Sequence, residues 1–154
     1  MEKGALFSNC KKYRYTLWRI WNRNKSYAVF IGLNPSVADA NIDDPTIRRC
    51  IKYAKDWNLG GLYMLNLFSY IATNPKVMKN KKYPIGKLND KWLLKISKDA
   101  GIIIGAWGND GSHLMRSKSI KKLIPNLYCL KINNTGEPAH PLYQKANIIP
   151  SLLK

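Results

Sequence analysis

Ser26-Tyr27-Ala28-Val29-Phe30-Ile31-Gly32-Leu33-Asn34-Pro35-Ser36 is a short apolar run closed by Asn-Pro. A strand with one wet face alternates apolar and polar side chains, whereas a strand covered on both faces reads as a nearly continuous apolar stretch. The run therefore predicts a strand buried between two layers. After a polar loop, Asp44-Pro45 supplies an N-cap followed by proline at the first helical position. Ile47, Ile51, Ala54 and Trp57 then recur at helical spacing, predicting a helix to about residue 56 closed by Gly60-Gly61.

The same reading extends in both directions. Upstream, residues 13–21 alternate enough to predict an edge strand or hairpin arm. Downstream, buried strands are expected at 62–68, 102–108 and 127–132, with helices at 88–98 and 112–123 and a short terminal helix after residue 143. The Lys-, Asn- and Pro-rich stretch 74–86 reads as an exposed loop. Strands alternating with helices predict an α/β fold: a three-layer αβα sandwich with a mostly parallel central sheet. A length of 154 residues, without linker or repeat, predicts one domain over 1–154.

Charge narrows the partner. The chain carries 26 Lys+Arg against 9 Asp+Glu, a formal net charge of +17 that folding does not require. Basic residues cluster at 11–14, 79–82 and 118–122, a pattern expected of a phosphate-tracking surface, although each cluster alone reads equally as a solvated face. The expected partner is polyanionic. Cys10, Cys50 and Cys129 lie far apart with no His at ligand spacing, so no metal, cofactor or disulfide framework is expected. No apolar run approaches the ~20 residues that span a bilayer, so no membrane partner is expected and the location read from the sequence is cytoplasmic.

Ligands of open parallel sheets bind beyond the carboxyl ends of the strands. Four segments fall there: Asn34-Pro35-Ser36, Asn66, Trp107-Gly108-Asn109-Asp110 and His140-Pro141. Each has an ordinary explanation as well. Asn before Pro forms turns, Trp107 suits a core, and His140 can decorate a loop. Asn66 is harder to excuse, because a buried amide must find partners or cost free energy.

These segments carry a resemblance. Gly32-Leu33-Asn34-Pro35-Ser36, Gly61-Leu62-Tyr63-Met64-Leu65-Asn66, Ile103-Ile104-Gly105-Ala106-Trp107-Gly108 and Gly136-Glu137-Pro138-Ala139-His140-Pro141 resemble, in order, four motifs of the uracil-DNA glycosylase superfamily. The whole chain more closely resembles an uncharacterised family of small bacterial and phage proteins carrying L-N-P-S, D-D-P-T-I-R-R, N-L-F, A-W-G and H-P-L-Y. The superfamily resemblance implies a glycosylase-like fold and a monofunctional DNA glycosylase, a monomer that acts on double- or single-stranded DNA and is therefore associated with the nucleoid. Asn34 would hold the attacking water, Asn66 would read the extruded base, and His140 would stabilise charge on the leaving base. Gly32 and Ser36 would line the base pocket, and Phe68 would stack on the base. Ser36 stands where uracil-specific enzymes carry a Tyr, which implies room for a modified pyrimidine and a role in repair or in defence against modified phage DNA.

Around this set, Asp39 is a candidate carboxylate for general-base work or for steadying a sugar cation, while Asp44 suits either that role or the N-cap. Arg48, Arg49 and Lys118 are candidates for phosphate contacts, and Leu142 and Tyr143 for a wedge inserted into the stack. Two other functions fit the same residues. One is a DNA-binding module without hydrolysis; the other is a nucleotide or nucleoside hydrolase built on Asp39 or Asp43.

Overall fold

The structure, a computed structural model, describes residues 1–36, 38 and 40–154. Among the described residues, seven strands form one mixed sheet in the order β1-β2-β4-β3-β5-β6-β7. The strands are β1 Glu2–Phe7, β2 Arg14–Ile20, β3 Tyr27–Gly32, β4 Gly61–Asn66, β5 Ile102–Gly105, β6 Tyr128–Cys129 and β7 Ser151–Leu152. The central four, β4-β3-β5-β6, run parallel. A β1–β2 hairpin extends the β4 edge and β7 closes the β6 edge, both antiparallel.

Buried strands must be covered on both faces, and they are. On one face Ile47, Cys50, Tyr53 and Ala54 of α1 (Pro45–Asp56) pack on Ala28, Phe30, Leu62 and Ile104. On the other, Met78 of α2 (Pro75–Lys79), Leu93 of α3 (Asn89–Lys98) and Ile120 of α4 (Arg116–Leu123) pack on Val29, Ile31, Leu65 and Ile103. This two-sided burial is why 26–33 lacks alternation.

The elements differ from the sequence expectations in ways with local causes. The strand at 13–21 is a hairpin arm and lies inside the sheet, because the preceding residues 2–7 form the edge. Gly60-Gly61 does not close α1. Asn58 does so in the left-handed region (φ 61°), with Asn58 N donating to Lys55 O and Leu59 N to Ala54 O, the double bond of a Schellman end. Gly61 instead begins β4, where a Cβ would come within 2.9 Å of Arg19 O. The expected loop 74–86 contains α2, started by Asn74 Oδ1 accepting from Lys76 N ahead of Pro75. The expected helix 112–123 is split into a 3₁₀ segment, Asn109–Met115, and α4 by consecutive positive-φ residues Leu114 and Met115. The chain ends in β7, not a helix, since Tyr128 and Cys129 pair with Leu152 and Ser151.

β2 carries one irregularity that matters below. Leu6 pairs with Thr16 but Phe7 pairs with Arg14, so Tyr15 is an extra residue on β2. Such a bulge breaks the two-residue alternation and re-aims the next side chain. Alternation would put Arg14 opposite Leu17; instead its guanidinium donates to the main-chain oxygen of Ala38, within the cluster that contains Leu17.

Candidate active site

Connections from β3 leave toward β4 on one side, and the chain then returns to place β5 on the other. The carboxyl ends of β3 and β5 thus part at a topological switch point, where open parallel sheets form ligand crevices. A cavity of about 360 Å³ lies here, lined by Gly32, Asn34, Ser36, Asn66, Trp107 and His140 among others. That volume suits a single base or nucleoside.

β3 and β4 present Gly32 and Asn66 side by side in register. Asn66 is only 4% exposed, and its Nδ2 has no hydrogen-bond partner among the described residues. A Cβ on residue 32 would lie 3.0 Å from Asn66 Oδ1, so glycine there leaves the amide its place. The backbone beneath is pinned: Asn89 Nδ2 donates to Asn66 O (2.9 Å) and Leu67 O (3.1 Å), and Arg116 Nε donates to Leu67 O (2.8 Å). A buried amide donor left without a partner is costly unless a ligand meets it.

Asn34 is oriented in the opposite sense. Its Nδ2 donates to Ala72 O (2.8 Å) and Pro35 O (3.1 Å), which anchors the nitrogen to the chain and leaves Oδ1 as the end available for a ligand or water. Ala72 N returns a bond to Pro35 O (2.9 Å), latching the loop after β3 to the loop after β4.

Asp44 caps α1 through Oδ1 accepting from Ile47 N (2.8 Å), while Oδ2 accepts from Ser36 Oγ at 3.4 Å. It also lines the cavity, so capping and site are served by one carboxylate. His140 sits at the exposed rim. Leu142 N donates to its Nδ1 (3.2 Å), so the neutral ring carries its proton on Nε2. The surrounding wall removes water from the ring and lowers its pKa below the ordinary value, with the Asp44 charge partly opposing. A second carboxylate, Asp110, lines the cavity paired with Lys79 (2.7 Å).

Other expected site residues lie elsewhere. Phe68 is fully buried in the core against His113 (ring centroids 5.4 Å apart) and does not line the cavity, so it offers no stacking face there. Arg49 donates to Gln144 O and lies over the Tyr53 ring at 5.4 Å, tying the C-terminal loop to α1. Arg48 is exposed, with its guanidinium on Asp43 O (2.9 Å), and Lys118 is exposed on α4. Leu142 is half-buried; Tyr143 is 98% exposed at φ 67°. Asp43 pairs with the buried Arg19 (2.7 Å) and does not line the cavity. Asp39 lies outside the described residues.

Arg14, Asn89 and Arg116 were missed by sequence reasoning. Arg14 lines the cavity because of the bulge, which leaves no mark in an alternation pattern. Asn89 and Arg116 act through main-chain oxygens of a distant strand; the only sequence signal was a polar residue on each helix's apolar face.

A family model described as Protein of unknown function (DUF1643) matches residues 14–142, which takes in Arg14, the β3 loop, Asn66 and His140. The chain belongs to this family. The residues that line the DUF1643 cavity all fall inside the matched span, from Arg14 to Pro141. No curated protein and no solved structure matches the chain. Among the described residues, no group of three or more His, Cys, Asp or Glu is placed to hold a metal ion, and no helix is long and apolar enough to cross a membrane.

Proposed function

We propose that this DUF1643 protein is a monofunctional DNA glycosylase of uracil-DNA-glycosylase-like fold that extrudes a modified pyrimidine from DNA and hydrolyses its N-glycosidic bond, in repair or in defence against modified phage DNA. The observation that carries the reading is Asn66: a buried amide whose Nδ2 has no partner among the described residues and which lines a base-sized cavity at the switch point. A flipped base offers the carbonyl oxygen that such a donor needs.

In the reaction, a water oxygen bonds to the sugar C1′ as the C1′–N bond breaks, and the bonding pair leaves on the base. The water's proton passes to a carboxylate or to solvent. Asn34 Oδ1 holds the water, a role supported by the anchoring of its Nδ2. His140 is neutral near pH 7 and directs Nε2–H at the oxygen of the departing base, stabilising the charge that grows there. Asp44 supplies a negative charge beside an oxocarbenium-like sugar. Ser36, whose hydroxyl is turned to Asp44, leaves space for a C5 substituent. Tyr143, exposed and held at positive φ directly after His140-Pro141-Leu142, is the aromatic side chain placed to fill the vacated stack.

The nucleoside-hydrolase alternative loses one of its two carboxylates, since Asp43 is engaged by Arg19 away from the cavity. The deciding experiment incubates the protein with DNA containing different bases, including whole modified phage genomes, and looks for alkali-labile abasic sites. Cleavage is expected with the native chain and not with Asn34→Ala, whose DNA binding is retained. Undiminished cleavage in that variant removes Asn34 from the mechanism, and no abasic sites with any substrate removes the reading.

A further inference from the structure

A second cleft, of about 540 Å³, opens between β2 and residues 82–87. Tyr13, Tyr15, Tyr83, Ile85 and Leu114 supply its apolar walls. Lys82 and Lys87 line it, no carboxylate does, and Lys11, Lys12 and Lys81 are exposed nearby in sequence. None of these five lysines forms an ion pair among the described residues; Lys81 and Lys82 lie over the rings of Tyr70 (5.2 Å) and Tyr83 (5.5 Å).

The walls are built. Tyr13 Oη donates to Tyr83 O (2.8 Å), and Tyr13 meets Tyr70 edge-on. Gly86, at φ 89°, forms part of the lining where a Cβ would fall 2.0 Å from Ser69 Oγ and 3.2 Å from the Tyr13 ring. Two short stretches of chain serve both cavities. Tyr13 enters the cleft and Arg14 the site, and the 3₁₀ segment gives Asn109 and Asp110 to the site and Leu114 to the cleft.

We propose that this cleft binds an unstacked base of single-stranded DNA, with neighbouring phosphates on the lysines. Aromatic walls beneath a cationic rim match the alternation of base and phosphate along a single strand, and stacking on tyrosine accepts any base. An uncharged apolar ligand would not call for the lysines, and a phosphate alone would not call for the tyrosines. The proposal takes from the preceding reading only that the ligand is DNA, and it is tested by binding without turnover.

Cys10 lines the cleft and is exposed, whereas Cys50 and Cys129 are buried, so a thiol-reactive dye reports on this wall. Labelling is followed with and without a DNA single strand of about twelve nucleotides. Saturating single strand is expected to slow Cys10 labelling at least tenfold, and the matching duplex is not. Tyr83→Ala is expected to weaken single-strand affinity roughly tenfold, with Tyr83→Phe close to the native chain; Tyr83 is 69% exposed, so neither change threatens the fold. Single-strand binding that leaves Cys10 labelling unchanged overturns the proposal, as does native affinity in Tyr83→Ala or no binding at all. Protection that needs no DNA and rises with protein concentration assigns the cleft to a second copy, and protection by phospholipid vesicles alone assigns it to a membrane surface; both overturn it. Protection of Cys10 without any base excision would leave the cleft standing while the glycosylase reading fell.

Discussion

Asn66 sets function against stability within one side chain. A buried donor without a partner costs on the order of 1–3 kcal/mol, so Asn66→Ala is expected to leave thermal stability unchanged or slightly raised. The same change should lower kcat/KM for base excision by about a hundredfold, roughly the 2–3 kcal/mol that one hydrogen bond to a substrate supplies in a dry site. A large loss of melting temperature would show that the amide is structural. Gly32→Ala is the complementary test: its Cβ would press on Asn66 Oδ1 at 3.0 Å, so excision should fall about tenfold with little change in melting temperature. His140 fixes the sign of the pH dependence. Because its pKa is lowered in the folded chain, the folded state holds fewer protons than the unfolded one below about pH 6.5, and acid costs stability there. Activity should persist through the ordinary histidine range and fall only below it, when Nδ1 gains a proton and loses the Leu142 N–H. Asp44→Asn removes the charge that raises this pKa, so the acid limb of the kcat/KM profile should move to lower pH.

At the scale of elements, the two services of Asp44 separate by substitution. Asp44→Ala removes the cap of α1 and should destabilise by about 1 kcal/mol, whereas asparagine caps nearly as well, so Asp44→Asn should hold the melting temperature. Chemical denaturation of the two variants checks this. Caps were legible in the sequence: Asp44-Pro45 announced α1, and Asn74-Pro75 carries the same chemistry for α2 although its polar surroundings read as loop. The break between the 3₁₀ segment and α4 was not legible, because Leu114 and Met115 are helix formers and nothing in their residue type marks a positive φ. β7 escaped for another reason: a two-residue strand is too short to show any period, whereas β6 falls inside the strand expected at 127–132 and is shorter than it.

For the whole molecule, the charge of +17 predicts an affinity for DNA governed by counterion release. A plot of log K against log salt should have a slope of about −3 to −5, as for four or five neutralised phosphates. A flat plot from titrations across salt concentrations would mean that the charge serves something other than DNA. The fold also explains why residues far apart in sequence form one site. Parallel strands end at a common edge, so the segments after β3, β4 and β5 and the loop of His140 converge without local contact between them.

Legible in the residues alone were the buried parallel strands, the capped helix after the first of them, the basic charge and the segments that line the cavity. Those features are local: they follow from runs, periods and residue types that each segment carries on its own. Tertiary structure decided the rest. Whether Asn66 has a partner depends on what stands beside it, Gly32 on a neighbouring strand, and the main chain at 66–67 is held by Asn89 and Arg116 from two helices. Arg14 enters the site through a bulge defined by pairing with β1, and Phe68, which the motif order placed on the base, is taken by the core. The tyrosine cleft likewise joins residues 13–15 to 83–87, a juxtaposition created only by the closed fold.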